Sequence, residues 1–392
     1  MAKTDDRWKQ IDRSDFFPPG NDADTPRLTI VIITHEREQL FAKAFCSVRT
    51  EISALSEPVV LRVYNSSRKS VSGSMDSAGE EFHVPAHVSA AAKRRIALGE
   101  CSTEWIVFVD DDCEVTGNAL QVIADYTRSA DNTSVAAYFC VTKFAGPKGF
   151  WFRCLEGTDY LTDFDESRHG QELPWGPTAL SAFHVTTARS AGGFDSEIRV
   201  PAGGEDVDLC LKLRRDGYQL IGIPQELVIH TTETWNSFRA NFNRSCNYGR
   251  AEFELLCRWP GYRRWDPGSP LMSALGFLFL WVPLNAPRIT VLRISACSVL
   301  LVLALFLAEM VCERRKYSKD VLELAGLSLL RWGYRIGYWL QALRRGRIRR
   351  LVQRFDWYYA WSFERERGRV FSVDLGIRCG FALGVLLFTA CL

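Results

Sequence analysis

With 48 basic and 46 acidic side chains in 392 residues, the formal net charge is +2, which argues against a nucleic-acid binder that works by bulk charge. The length allows one large domain or two ordinary ones. Twelve cysteines form no CxxC pair and no regular spacing, so neither a zinc site nor a disulfide framework is suggested, and reduced thiols in a cytosolic catalytic part fit best.

Residues 1–26 read as an irregular lead-in, broken by Pro18-Pro19-Gly20 and Pro26 and lacking the apolar core of a secretory signal. Residues 28–34 form a buried strand, followed by His35-Glu36-Arg37 and a helix over 38–53. A second strand, 59–64, ends in Asn65-Ser66-Ser67, and the Ser- and Gly-rich stretch 65–80 reads as a loop. Residues 90–99 read as a helix bearing Lys93, Arg94 and Arg95. Strand, helix, strand, helix and strand is the rhythm of a right-handed parallel α/β sheet, which commonly binds a nucleotide. The sequence has no GxGxxG and no P-loop, so phosphates must be held in another way.

The third strand carries the chemistry. Ile106-Val107-Phe108-Val109 reads as buried on both faces, and Asp110-Asp111-Asp112 falls at its C-terminal end. Open α/β sheets place their ligands at that edge. Three adjacent carboxylates repel one another, and Mg²⁺ or Mn²⁺ would relieve the repulsion while bridging to a substrate's phosphates. A helix over 118–130 and a strand over 134–141 continue the sheet, and 144–178 reads as a loop-rich region. Within it Trp175, between Pro174 and Gly176, is a candidate substrate-lining wall.

Downstream, Gly192-Gly193-Phe194-Asp195 precedes Gly203-Gly204-Glu205-Asp206-Val207-Asp208-Leu209. Leu209 and Leu213 share one helix face, and Gly217 suits the helix's end. Glu205 and Asp206 thus open a helix, where acids are favoured by its dipole. A carboxylate fixed there can also take a proton from a hydroxyl nucleophile. Two short strands follow, over 217–224 and 227–230, the second ending in His230.

The order of these motifs resembles the family 2 glycosyltransferases, which have the GT-A nucleotide-sugar-binding fold, over about residues 28–232. Thr34-His35-Glu36-Arg37, Lys93-Arg94-Arg95, Asp110-Asp111-Asp112, the Gly-Gly-Phe-Asp and Gly-Glu-Asp-Val-Asp-Leu blocks and Pro224…His230 carry the resemblance. It implies an α/β Rossmann-like mixed sheet and an inverting transfer. Thr34, His35, Arg37, Asn65, Arg94, Asp110 and Asp111 would bind the donor nucleotide. Asp112 and His230 would hold a divalent metal (Mg²⁺ or Mn²⁺), and Asp206 would be the general base. Glu205 and Asp208 would position the acceptor or the helix. Relatives usually end the second strand with an Asp; here Asn65 stands in its place, which leaves UDP-, dTDP- and GDP-linked donors open.

The last third is different in kind. Two apolar runs, 271–286 and 294–308, read as a transmembrane helical hairpin over 269–312. Residues 313–370 read as basic, aromatic-rich helices at the cytosolic face of a membrane, and 371–392 as a third membrane-associated helix. Residues 27–235 are then a cytosolic catalytic domain and 236–268 a linker. The expected partners are a nucleotide-sugar, a glycan or lipid-linked acceptor and membrane lipids, with no nucleic acid. Two alternatives remain, a polyprenyl-phosphate sugar synthase and a non-catalytic membrane-anchored sugar-nucleotide-binding protein.

Overall fold

The computed structural model describes residues 26–75, 79–129, 134–195, 198, 203–265, 288–357, 376–378 and 380. It divides into two compact units, one of residues 1–144, 164–197 and 205–230, the other of 145–163, 198–204 and 231–392.

The first unit is built on an eight-stranded mixed sheet. Strands β1 (Leu28–Thr34), β2 (Val59–Asn65), β3 (Glu80–His83) and β4 (Trp105–Asp110) run parallel in the order β3-β2-β1-β4. After β4 come β7 (Leu180–His184), β6 (Val135–Ala145), β8 (Gln219–Thr231) and β5 (Cys113–Val115). The pairs β4–β7, β6–β7 and β5–β8 are antiparallel. In β1 every residue is buried, and alternation sends Leu28, Ile30 and Ile32 to one face and Val31 and Ile33 to the other. The first face is covered by α1 (Glu38–Ala54) and α3 (Ala119–Arg128), through Phe41, Phe45, Leu120 and Ile123. The second is covered by α2 (Ala90–Glu100), α5 (Val185–Ser190) and α6 (Glu205–Arg215), through Leu98, Ala188, Leu209 and Leu213. A short helix, α4 (Phe150–Leu155), belongs to the second unit.

Several expectations change here. The stretch 65–80 ends in strand β3, whose Glu-Glu-Phe-His sequence carries no apolar alternation. The two strands expected over 217–230 are one 13-residue strand, β8. Pro224 sits in it at an exposed position, where the missing N–H is tolerated. The expected linker 236–268 contains a 21-residue helix, α7 (Phe238–Arg258).

The second unit is mainly helical. Besides α4 and α7 it holds α8 (Arg288–Lys316), α9 (Val321–Arg344) and a two-stranded ribbon of β9 (Arg263–Trp265) and β10 (Gln353–Phe355). Helices α7 and α9 meet backbone to backbone. A Cβ on Gly249 would lie 1.8 Å from the Tyr334 carbonyl oxygen, and one on Gly337 would lie 1.9 Å from that of Cys246. Carboxylates point inward: Glu309 pairs with Arg335 and Arg378, and Glu252 with Arg354 at 2.5 Å. Meanwhile Val299, Leu303, Leu307 and Val311, spaced four apart along α8, are 41–52% exposed.

Among the described residues no helix is long and apolar enough to cross a membrane, so the expected hairpin over 269–312 is not supported. The buried face of α8 carries Glu309 and Glu313, and charged groups at this spacing are costly in a bilayer core. The first arm, 271–286, lies outside the described residues, as do the lead-in over 1–25 and nearly all of 358–392.

Candidate active site

The ends of β1, β2 and β4 lie side by side, with Thr34 opposite Asn65 and Ile33 opposite Asp110. This register brings the first-strand motif and the three aspartates to one edge of the sheet.

Each aspartate has its own partners. Asp110 accepts from Arg94 Nη2 at 2.6 Å, while Arg94 Nη1 donates to Glu205 at 2.6 Å. The guanidinium is buried and thus ties the strand end to the start of α6. Asp111 accepts from Thr34 Oγ1 at 2.8 Å and from Arg37 Nη1 at 3.0 Å. The same Arg37 nitrogen reaches Asp112 Oδ2 at 2.8 Å, and His230 Nε2 lies 3.4 Å from Asp112 Oδ1. Burial pushes the Asp111 carboxyl up to about 6, against the pull of Arg37. Burial likewise raises Asp110, although Arg94 opposes it.

The loop after β1 is held in a strained form. Glu36 has a φ of 53°, its N–H donates to Ser67 Oγ at 2.6 Å, and its carboxylate accepts from the Arg68 N–H at 3.0 Å. His35 Nδ1 lies 3.2 Å from the Ser66 carbonyl oxygen. Lys93 is a member of this site that the sequence reading left without a role. Its buried ammonium donates to the Thr34 carbonyl at 2.7 Å and to Ser66 Oγ at 3.0 Å, fastening β1 to β2. Burial brings it down to about 8. The signal was the Lys-Arg-Arg run itself, on a helix whose buried positions include two of the three cations.

The residues 112, 113 and 230 offer three ligand atoms within 4.8 Å of one another, all on buried side chains. Cys113 stands opposite His230 in the β5–β8 register, and Phe144 stacks on the imidazole with ring centroids 5.1 Å apart. Burial holds the Cys113 thiol far above its usual range, so it stays protonated. A carboxylate oxygen and an imidazole nitrogen suit Mn²⁺ or Mg²⁺, and the donor set of Asp112 and His230 fits such an ion.

On the other side of Arg94, α6 begins after Gly203 and Gly204, whose φ values of 99° and 91° only glycine adopts readily. Asp206 is half-buried in the first turn, and burial together with the neighbouring Glu205 pushes it up to about 7. Asp208 is buried and paired with Lys212 Nζ at 2.7 Å. Glu205 accepts from Arg94 Nη1.

Asn65 is also committed to the chain itself. Its amide donates to the Lys69 carbonyl at 2.9 Å and to Glu81 Oε1 at 2.8 Å, and its Oδ1 accepts from the Ser67 N–H at 2.7 Å. A side chain so used shapes the turn after β2. Trp175 packs partly buried against the layer of α2, α5 and α6, and Gly176 after it sits so close to Phe139 that a Cβ would lie 2.4 Å from the ring. The Gly-Gly-Phe-Asp block is a structural corner. Gly192 and Gly193 take φ values of 98° and 63°, and Lys212 Nζ and Arg95 Nη1 donate to the carbonyls of Gly193 and Phe194 at 3.0 and 3.3 Å.

Comparison with known proteins bears on this arrangement. The pre-mycofactocin glycosyltransferases of two Mycobacterium tuberculosis strains, CDC 1551 / Oshkosh and ATCC 25618 / H37Rv, are each 26% identical over 216 residues. The match covers 52% of this chain and 41% of each relative, so the chain spans about two-fifths of their length. Among solved structures, the mannosyltransferase PcManGT from Pyrobaculum calidifontis, in complex with GDP-Man and Mn²⁺, is 15% identical with a TM-score of 0.45, covering 96% of this chain and 92% of that one. S. aureus TarS 1-349 is 12% identical with a TM-score of 0.41, covering 82% of this chain and 92% of that one. The model of the glycosyl transferase family group 2 matches residues 105–310, more than half of the chain and the stretch that carries the aspartates, α6 and His230. The chain belongs to that family.

Proposed function

We propose that the protein is a metal-dependent, inverting glycosyltransferase that moves a sugar from a nucleotide-sugar to an acceptor hydroxyl. The observation that carries this reading is the Arg94 bridge. One buried guanidinium binds Asp110 at the sheet edge and Glu205 beside Asp206, so a donor-binding edge and a proton acceptor share one rigid element.

In this reading the acceptor oxygen attacks the anomeric carbon while the bond from that carbon to the diphosphate oxygen breaks. The hydroxyl proton passes to Asp206. Displacement in one step inverts the anomeric centre. A carboxyl group raised to about 7 is well matched to such work near neutral pH. Thr34, Arg37 and Arg94 orient the nucleotide and its diphosphate, and Asp112 and His230 would hold the cation. When bound, that ion neutralises charge on the departing diphosphate.

The acceptor is proposed to be delivered at a lipid surface, as a lipid-linked glycan would be. Support comes from α8, where carboxylates face inward and Val299, Leu303, Leu307 and Val311 face outward. An apolar stripe of this kind, followed by Arg314, Arg315 and Lys316, suits an interface with anionic lipid.

The test is donor turnover by the full chain in detergent, with UDP-, dTDP- and GDP-sugars and with Mn²⁺, Mg²⁺ or EDTA. Metal-dependent nucleotide release from one donor class, abolished in Asp112→Asn and Asp206→Asn, is the expected result. Nucleotide binding without turnover, indifferent to Asp206→Asn even with membrane lipid extract present, would overturn it.

A further inference from the structure

The two arginines of the site differ in how they are held. Arg94 is 6% exposed and clamped between Asp110 and Glu205. Arg37 has a side chain 41% exposed, and it reaches Asp111 and Asp112 through one nitrogen, Nη1. Its backbone is fixed by the left-handed Glu36 before it and by the Phe41 N–H, which donates to the Arg37 carbonyl at 2.9 Å. A partly exposed side chain thus extends from a fixed root.

Asp112 is claimed twice. Its Oδ2 lies 2.8 Å from Arg37, and its Oδ1 faces His230 at 3.4 Å in the cluster that suits a hard cation. A divalent ion on Asp112 would then lie within a few ångströms of the guanidinium, and two positive charges that close repel each other strongly in a partly buried site. Departure of Arg37 from the pair would not strand Asp111, which keeps its hydrogen bond from Thr34 at 2.8 Å.

We propose that Arg37 and the divalent cation compete for Asp112, and that the donor's diphosphate resolves the competition by giving the guanidinium another anion to hold. The proposal rests on the metal-dependent reading above. It makes cation and donor binding mutually reinforcing: the donor draws Arg37 off the carboxylates, and the cation takes Asp112 beside His230 without the guanidinium's repulsion. By linkage, each then raises the affinity of the other by the same factor. Guanidinium geometry suits both tasks, because its fork pairs with carboxylates and phosphates alike.

The experiment titrates Mn²⁺ into the full chain and reads the free ion by electron paramagnetic resonance, with no sugar present, alone and with UDP, dTDP or GDP. In the unaltered protein the nucleotide that binds should tighten Mn²⁺ by about tenfold or more, within the usual range of coupling. Arg37→Ala and Arg37→Gln should bind Mn²⁺ alone about tenfold more tightly and lose most of that coupling. Arg37→Lys, which keeps the charge, should fall between. Melting curves of the three variants identify any that fail to fold, and the comparison is made on those that do fold. Unchanged or weaker Mn²⁺ binding in the folded variants would overturn the competition while leaving the metal-dependent reading intact. Absence of Mn²⁺ binding in every protein with every nucleotide would overturn both.

Discussion

In the sheet-based unit, apolar side chains fill the layers on both faces and the charged groups gather at the strand ends, where Asp110, Asp111, Asp112, Arg94 and Arg37 converge. In the helical unit the arrangement is turned inside out: Glu309 and Glu252 are buried against arginines, while leucines and valines of α8 face outward. The same kind of ion pair thus does different work in the two places. At the strand ends, arginines hold three adjacent carboxylates together at one edge of the sheet. Within the helices, they hold elements together, and one outward stripe of α8 is apolar.

Substitutions should separate the two. The largest effect is expected from Asp206→Asn, which should lower turnover by about 10²–10⁴-fold with the melting temperature nearly unchanged. If Asp206 is the base as proposed, turnover in the unaltered protein should climb with pH towards a plateau above about 7, because a base must first lose its own proton. A profile that stays flat through that range would detach Asp206 from the proton transfer. Glu309→Ala should do the reverse. It leaves Arg335 and Arg378 without their buried carboxylate, and denaturant melts should report a loss of about 3–5 kcal/mol.

The Glu309 carboxylate also has a pH signature. Burial alone would raise it, but Arg335 and Arg378 outweigh burial and bring it down to about 2. A depressed carboxyl group stabilises fully above its ordinary value of about 4.5, and that contribution fades as the pH falls towards 2. Acid melts of Glu309→Gln beside the unaltered protein should therefore converge over this window. Next in size is Gly249→Val. Its side chain meets the Tyr334 carbonyl, and forcing α7 and α9 apart should cost about 3 kcal/mol by thermal melting. The smallest stability change is expected from Leu303→Asp with Leu307→Asp, about 0.5 kcal/mol or less each at these exposed positions. The same pair should abolish flotation with anionic vesicles, and retained flotation would remove the lipid-surface reading.

Much of the sheet-based unit was legible in the sequence because its strands are apolar runs and its helices have clean starts and ends. Strands β1, β2 and β4, helix α2 and the Gly217 end of α6 fall where pattern and turn chemistry put them. Strand β3 was not legible, since Glu80-Glu81-Phe82-His83 reads as polar and becomes a strand only by pairing with β2. Helix α7 hid for a related reason: its Asn, Ser and Gly residues weaken local propensity, and its contact with α9 supplies what the segment lacks. In the site, the residue types were readable and their partners were not. Nothing in the sequence says that Asn65 spends its amide on Glu81, that Asp208 turns to Lys212, or that one nitrogen of Arg37 spans two aspartates.

The register of β5 against β8 has a consequence for how the molecule is assembled. His230 meets Asp112 because its strand pairs with residues 113–115 in one alignment, and a slip of one residue would turn the imidazole to the opposite face of the sheet. Strand β8 is also the last part of the sheet to be synthesised, whereas the aspartates emerge early. The Asp112–His230 contact therefore forms only once the late strand has docked. A cation seated there would act as a clasp on that strand, raising the melting temperature in step with its free concentration.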